Sequence, residues 1–320
     1  MRAFRLAGAG AQPQVQEIDL PDPGPGEIRV RIAACGLNFA DTLMIRGSYQ
    51  DMPPLPATLG MELAGTVEAL GPGVDGPAVG TRVAICAGHG GLAEAGNFPA
   101  ALAVPLPEGM SFETAAGFQI AYGTSHLALT RAARLAPGET LVVTGAAGGV
   151  GLTAVEIGAQ LGARVIAVAR GAAKLALARE AGAAETIEAE GTDLRAAVKA
   201  LGGADVVYET VGGDSFESLL RALRPEGRML AIGFAGGQVP AVKPNHLLVK
   251  NISVIGFYWG GYRAFAPEVL RASMAELFAW HGAGRLRPHV GAVLPLERAA
   301  EGLEMLRSRQ ATGKIVIATA

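Results

Sequence analysis

The nine residues from Val143 to Gly151, VTGAAGGVG, constrain the fold of this chain more than any other stretch. The apolar run ETLVVTG that leads into them reads as a buried strand, and GVGLTAVEIGAQLGA after them has helical periodicity and ends at the stop signal Leu161-Gly162. Glycines at 145, 148 and 151 therefore stand in a turn between a strand and a helix. The spacing departs from a strict G-x-G-x-x-G: the second glycine of that motif would fall at Ala147, and the next glycine is instead Gly148.

Strands and helices go on alternating after this turn. The strands read RVIAVAR, DVVYETVG and RMLAIGF, and the helices AAKLALAREAGA and FESLLRALRPEG. Such alternation builds right-handed βαβ units on a parallel sheet, so residues 120–261 are predicted to form a doubly wound α/β domain. The first 119 residues are rich in Pro and Gly turns between short runs such as IRVRIAACG and GTVEAL, which predicts a β-rich domain of short strands.

In this context the glycine turn predicts a dinucleotide site. A turn of small residues allows close approach of a pyrophosphate, and the helix N-terminus offers backbone N–H groups and a partial positive charge. The alternative is a tight turn that needs small residues only for packing. The residues expected to contact the cofactor here are Gly145, Ala147, Gly148, Gly149, Val150 and Gly151.

The end of the second strand indicates which dinucleotide binds. An NAD-preferring site usually has an acidic residue there for the ribose 2'-hydroxyl, whereas this strand ends in Ala169 and Arg170, followed by Lys174. An Arg offers a charge-assisted fork to a 2'-phosphate, so NADPH is the predicted cofactor. The alternative is that Arg170 and Lys174 are solvated surface charges.

Composition excludes several other classes of protein. A chain of 320 residues favours two domains, and 50% hydrophobic residues with a net charge of -2 predict a large core and no nucleic-acid or anionic-membrane partner. The N-terminus does not read as a signal peptide, and the uncharged run 114–125 is too short and too broken to span a membrane. Cys35 and Cys86 are too few for a disulfide framework or a cysteine-based structural zinc site. Together these features predict a cytoplasmic protein.

Several segments together resemble one family across essentially the whole chain. They are AACGLNFADTLMIRGSY, LGMELAGTVEALGPGV, AYGTSHLAL, AAGGVG, DVVYETVGGDSFE and TGKIVI. They are similar to the medium-chain dehydrogenase/reductase superfamily, and within it to the zinc-independent NADPH:quinone oxidoreductase branch. The resemblance implies a GroES-like β-barrel over 1–119, completed by 262–320, a Rossmann domain over 120–261, and a cleft between the domains that holds the nicotinamide.

The resemblance also implies that no metal takes part. Zinc alcohol dehydrogenases of the superfamily have a cysteine, a histidine and a second cysteine where this sequence has Asn38, Met61 and, approximately, Ala116. The histidines are scattered without metal-ligand spacing. Without a Lewis acid, the favoured substrates spread incoming negative charge by conjugation, as quinones and α,β-unsaturated carbonyls do. The expected reaction is therefore hydride transfer from NADPH to a quinone.

The resemblance assigns further site residues. Asn38 is expected to donate to the substrate oxygen, Asp41 to order that segment, Tyr49 to line the cleft and Thr124 to lie beside the nicotinamide. Their alternatives are a turn residue for Asn38, a half-buried aromatic for Tyr49 and an ordinary helix residue for Thr124. Further cofactor contacts are expected from Gly233, Phe234, Phe257 and Lys314. A family tyrosine at the 2'-phosphate falls at about Ala189, which leaves Arg170 and Lys174 to hold the phosphate.

The segment NISVIGFYWGGY is apolar and β-prone. The resemblance implies that such a strand pairs with its copy across a two-fold axis, so a homodimer through the strand near 251–259 is expected, and an unpaired edge of this kind is otherwise a liability. The alternative is that Phe257 and Trp259 line the cleft. Two other functions stay open at this point. One is an enoyl-thioester or enone reductase of the same fold and cofactor, and the other is an NADPH-binding protein without turnover.

Overall fold

The structure is a computed structural model that describes residues 1–319. Its strands are, in chain order, β1 (Arg2–Leu6), β2 (Gln14–Glu17), β3 (Glu27–Gly36), β4 (Ala57–Thr58), β5 (Glu62–Leu70), β6 (Arg82–Cys86), β7 (Ala95–Pro99), β8 (Ala103–Pro105), β9 (Thr140–Thr144), β10 (Arg164–Ala169), β11 (Glu185–Glu188), β12 (Ala204–Glu209), β13 (Leu223–Ala231), β14 (Ser253–Gly256), β15 (Val290–Pro295) and β16 (Lys314–Ala318).

The helices alternate with the strands mainly in the second half of the chain. They are α1 (Phe39–Ile45), α2 (Phe112–Ala116), α3 (Gln119–Leu127), α4 (Gly149–Gln160), α5 (Ala172–Glu180), α6 (Leu194–Ala200), α7 (Asp214–Ala222), α8 (Pro244–Leu248), α9 (Tyr262–Phe265), α10 (Pro267–Gly282) and α11 (Ala299–Arg307). A π-helical turn, Ala128–Ala132, continues α3, and short 3-10 turns cover Ala100–Leu102, Trp259–Gly261 and Leu296–Arg298.

The chain divides into two compact units. Unit 1 consists of residues 1–120 and 288–320, and unit 2 consists of residues 121–287. The return to the first unit therefore comes at Pro288, whereas the sequence predicted it at 262. The reason is that α10 is bound within unit 2: Ser273 Oγ lies 2.8 Å from His126 Nδ1 on α3, and Leu277 is fully buried.

Unit 2 is the predicted doubly wound domain. Its six-stranded sheet has the order β11-β10-β9-β12-β13-β14, and all of its strand pairs are parallel. Every residue of β9 is buried because parallel strands of this kind are covered on both faces. The chain order reverses between β9 and β12, which is the switch point where open α/β sheets bind ligands at the carboxyl ends of their strands.

Unit 1 is a β-structure with its own core. A seven-stranded sheet runs β15-β16-β3-β5-β6-β8, with β7 also paired to β3, and a three-stranded sheet runs β2-β1-β4. Antiparallel pairing of β16 with β3 brings the C-terminal strand beside the strand that precedes Asn38. The GroES-like unit and the parallel-sheet Rossmann unit confirm the predicted fold class.

Candidate functional site

The glycine turn is built by contacts that exclude larger side chains. Gly145 has φ +58°, a conformation that favours glycine, and its carbonyl oxygen accepts from the Gly148 N–H at 2.8 Å. A Cβ on Gly151 would lie 2.1 Å from that same oxygen, whereas a Cβ on Gly148 would lie 3.3 Å from it. The tight turn therefore depends on glycine most strictly at 145 and 151.

The turn opens directly into the N-terminus of α4. Gly148 is the extended N-cap residue and has no side-chain cap, and the Leu152 N–H makes a helical bond back to the Gly148 carbonyl. The N–H groups of Gly149, Val150 and Gly151 precede that bond, so they have no acceptor within the helix. These amides and the positive end of a helix of 12 residues suit an anionic phosphate.

A buried carboxylate that sequence reasoning missed braces the other side of the switch point. Glu209 is fully buried at the end of β12 and accepts from the N–H groups of Val211 at 2.7 Å and Gly212 at 2.9 Å. It also accepts from Thr144 Oγ1 at 3.0 Å, which joins the ends of β9 and β12. Burial raises the pKa of Glu209. The sequence signal for Glu209 was the presence of an acidic residue inside the apolar run DVVYETVG.

Three other predicted residues lie close to these strand ends. Gly233 and Phe234 follow β13 at the same carboxyl edge of the sheet, where the Gly233 N–H donates to the Glu209 carbonyl at 3.4 Å. Phe257 follows β14, and its N–H donates to the Ala231 carbonyl at 3.1 Å. The structure therefore brings these three predicted cofactor residues to the carboxyl ends of adjacent strands.

Thr124 is buried on α3. Its neighbour Ser125 donates to the Val150 carbonyl at 3.0 Å, so α3 contacts the first turn of α4. This places Thr124 on an element that touches the predicted phosphate site.

Arg170 and Lys174 lie together beyond the end of β10. Arg170 is exposed, and Lys174 is half-buried in the first turn of α5. Burial lowers the pKa of Lys174, and the positive charge of Arg170 lowers it further. The two cations therefore share one region, as a site for a 2'-phosphate requires.

The predicted residues of unit 1 surround a buried ion pair. Lys314 Nζ donates to Glu62 Oε1 at 2.8 Å, to Asn38 Oδ1 at 2.8 Å and to the Leu37 carbonyl at 2.7 Å. An ammonium has three N–H donors, so all three are used within this unit. Lys314 therefore holds Asn38 and Glu62 in place, and its predicted cofactor contact stays a prediction.

The Asn38 amide is also held from its other side. Asn38 Nδ2 donates to Glu62 Oε1 at 3.0 Å and to the Gly36 carbonyl at 3.3 Å. Both amide hydrogens are thus engaged, and the longer bond to Gly36 is the weaker of the two. Sequence reasoning missed Glu62, although an acid in the apolar stretch LGMELAG was a signal for it.

Asp41 orders the segment that carries Asn38. Its carboxylate accepts from the Asn38 N–H at 2.8 Å and from the Gly60 N–H at 3.2 Å. Burial raises the pKa of Asp41 to about 6, against the opposing effect of these two hydrogen bonds. Tyr49 is half-buried and packs at the border of a core cluster that contains Met44 and Leu59.

The positions compared with zinc ligands are apolar or amide. Met61 and Ala116 are buried, and the Asn38 amide is engaged as described. Within residues 1–319, no group of three or more His, Cys, Asp or Glu side chains is arranged to hold a metal ion. Across the same residues, no helix has both the length and the apolar character needed to cross a membrane.

Comparisons with known proteins agree with this architecture. Residues 24–108 match the alcohol dehydrogenase GroES-like domain family, and residues 149–279 match the zinc-binding dehydrogenase family. A quinone oxidoreductase-like protein 2 homolog from Nematostella vectensis is 38% identical over 298 residues, which cover 91% of this chain and 81% of that protein.

Two solved structures also match. The quinone oxidoreductase of Thermus thermophilus, solved also with NADPH, has a TM-score of 0.89 and 35% identity over 100% of both chains. The Escherichia coli quinone oxidoreductase in complex with NADPH has a TM-score of 0.90 and 32% identity over 99% of each chain. The chain belongs to the medium-chain dehydrogenase/reductase superfamily of oxidoreductases, in its quinone oxidoreductase branch.

Proposed function

We propose that this chain reduces quinones with NADPH by hydride transfer that does not involve zinc. The observation that carries the proposal is the uncapped N-terminus of α4 behind the glycine turn, with the Arg170 and Lys174 pair beyond the neighbouring strand. The first feature suits a pyrophosphate and the second a 2'-phosphate. Similar proteins solved with NADPH support the same assignment.

The residues of this chain bind and orient the reactants. The amides of Gly149, Val150 and Gly151 hold the pyrophosphate, while Glu209 keeps the loop after β12 fixed against β9. Bound NADPH supplies a hydride from C4 of its nicotinamide. We assign Thr124 and Phe257 to the nicotinamide end and Gly233 and Phe234 to the cofactor edge of the sheet.

Asn38 is the proposed donor to the developing oxyanion of the substrate. Because its bond to the Gly36 carbonyl is long, at 3.3 Å, that amide hydrogen is the one available for exchange to a substrate oxygen. Lys314 and Glu62 then act as positioning residues, since they fix the orientation of the amide. Tyr49 is proposed to contact the substrate, and Asp41 to keep the Asn38 backbone in place.

The absence of zinc from the reaction is part of the proposal. An amide, a thioether and a methyl group at positions 38, 61 and 116 offer no strong zinc ligand. Conjugated acceptors need no Lewis acid because they delocalise the incoming charge. Zinc analysis of the purified protein tests this directly, and one tightly bound zinc per chain would contradict it.

The first experiment is NADPH oxidation by the purified protein, followed by absorbance. The acceptors are 1,4-benzoquinone, 9,10-phenanthrenequinone, a simple enone and crotonyl-CoA, each run in parallel with NADH. Quinone-dependent oxidation supports the proposal. Turnover of crotonyl-CoA alone would instead indicate an enoyl-thioester reductase, and tight NADPH binding without turnover would indicate a binding protein.

Two variants test the residue assignments. Arg170→Glu should weaken NADPH binding far more than NADH binding, whereas an equal loss for both would show that Arg170 does not contact the phosphate. Asn38→Ala should lower kcat with little change in cofactor affinity. Asn97→Ala is the matched control, because Asn97 belongs to the same unit and bonds Arg29 and Pro21 instead.

We also propose that two copies assemble through β14. This strand pairs with β13 on one side and ends the described sheet order on the other, and Leu248 and Val249 beside it are about three-quarters exposed. Such an edge suits pairing with a second copy. Light scattering should give twice the chain mass, and Leu248→Lys with Val249→Lys should shift it toward the monomer.

A further inference from the structure

A carboxylate lies among the groups proposed to recognise the 2'-phosphate. β10 ends at Ala169, and Arg170 and Gly171 lead into α5. Glu188 is the last residue of β11 and pairs in register with Ala169, while the Ala189 N–H donates to the Ala169 carbonyl at 2.9 Å. Parallel pairing therefore brings Glu188 to the strand end where cofactor selectivity is decided in folds of this type.

The Glu188 carboxylate is fixed there by backbone hydrogen bonds. Its Oε2 accepts from the Gly171 N–H at 2.8 Å, and its Oε1 accepts from the Glu190 N–H at 3.1 Å. Gly171 is the N-cap residue of α5, with φ +84°, and a Cβ there would meet only open space. The carboxylate thus accepts the N–H of the N-cap residue of α5, and the space beside that residue is open.

The groups described around this carboxylate carry positive charge or donate hydrogen bonds. The two N–H donors and the positive charge of Arg170 lower the pKa of Glu188, so it is ionised at neutral pH. The positive charge of Arg170 also lowers the pKa of Lys174. Glu188 therefore cancels part of the positive potential of the cation pair that would attract a 2'-phosphate.

We propose that Glu188 is a specificity-determining residue that shifts this oxidoreductase toward NADH and limits its preference for NADPH. The inference rests on the proposed dinucleotide site. Two backbone donors leave acceptor positions on the carboxylate for the 2'-hydroxyl of an unphosphorylated ribose. The same negative charge repels a 2'-phosphate, so Glu188 supplies on the neighbouring strand the acid that β10 itself lacks.

The test is the ratio of the two cofactor dissociation constants in Glu188→Gln. The amide keeps an acceptor for the Gly171 N–H and removes the charge, so the fold should be retained. The NADPH Kd should fall about fivefold to tenfold and the NADH Kd should rise about twofold to fivefold. The NADPH effect should shrink at high salt, because exposed charges are screened.

Glu190→Gln is the matched control, since it removes the same charge two residues away and leaves the backbone N–H that binds Glu188. Its Kd ratio should stay within about twofold of the native ratio. Glu188→Ala is the second variant and should shift the ratio in the same direction as Glu188→Gln. Both titrations use cofactor fluorescence with the intact protein, and circular dichroism verifies folding.

Three results would overturn the inference. If the ratio of the NADPH and NADH Kd values in Glu188→Gln stays within twofold of the native ratio while the native protein binds NADPH, Glu188 does not determine specificity. The proposed dinucleotide site is then unaffected. A Glu190→Gln shift as large as that of Glu188→Gln shows that only general charge matters. Failure of the native protein to bind either cofactor removes the proposed dinucleotide site and this inference with it.

Discussion

Replacing Lys314 with methionine should destabilise unit 1 through the charge it leaves behind. Glu62 is fully buried, and its Oε1 receives the Lys314 ammonium at 2.8 Å. The variant removes that ion pair together with the two bonds from Nζ to Asn38 Oδ1 and the Leu37 carbonyl. Glu62 keeps only neutral donors among its described hydrogen bonds, Asn38 Nδ2 at 3.0 Å and the Ile120 N–H at 2.9 Å.

The size of the effect follows from the burial of the pair. Removing one partner of a buried ion pair costs about 3–5 kcal/mol because the other charge stays uncompensated. The double variant Lys314→Met, Glu62→Gln removes both charges and should recover about 2 kcal/mol relative to Lys314→Met alone. Lys250→Met is the control: Lys250 Nζ also donates to carbonyls, those of Arg221 and Leu223, and should cost under about 1 kcal/mol.

Urea unfolding separates the two units spectroscopically. The tryptophans, Trp259 and Trp280, both belong to unit 2, so their fluorescence reports that unit, whereas far-UV circular dichroism reports both. Lys314→Met should shift an early phase of the dichroism curve more than the fluorescence curve. A loss below about 1 kcal/mol, or a double variant no more stable than the single one, would refute the reasoning.

Three other predictions follow from the described contacts. Gly151→Ala should cost at least about 2 kcal/mol of stability and abolish NADPH binding, because its Cβ would lie 2.1 Å from the Gly145 carbonyl oxygen. Gly148→Ala, whose Cβ would lie 3.3 Å from the same oxygen, should cost much less. Equal losses of stability in thermal unfolding would contradict this. The pKa of Asp41 is raised from 3.8 to about 6, so the folded state binds the proton more tightly than the unfolded state does. The free energy of unfolding of the native protein, measured relative to that of Asp41→Asn, should therefore fall by about 3 kcal/mol as pH rises from about 4 to 7. A difference that does not change with pH would disprove this. Tyr122→Phe removes a donor 2.5 Å from the buried Glu156 carboxylate and should cost about 1–3 kcal/mol in urea unfolding. The cost should be much smaller in the presence of Glu156→Leu, which offers the hydroxyl no acceptor; an undiminished cost in the double variant would exclude this mechanism.

The extent of unit 2 shows where sequence reasoning reached its limit. The segment after residue 261 begins with helices, among them α10 (Pro267–Gly282), and a helical pattern alone does not tell which unit a helix packs on. Its assignment depends on contacts such as Ser273 with His126, whose positions differ by 147 residues. No local periodicity encodes a partner at that distance, so the chain's return at Pro288 could only be read from the tertiary structure.

The sequence by itself determined the parallel sheet, the glycine turn and the cation pair after β10. Each of them depends on residues that are close together in the sequence, through apolar runs, helix periodicity and glycine spacing. Tertiary structure alone decided how Lys314 is used and where Glu188 lies. Lys314 on β16 reaches Glu62 on β5 across 252 positions because β3 lies between these two strands and pairs with both. Glu188 reaches Gly171 because β11 pairs with β10. Strand pairing joins residues far apart in sequence, and only that pairing fixes which donor meets which buried charge.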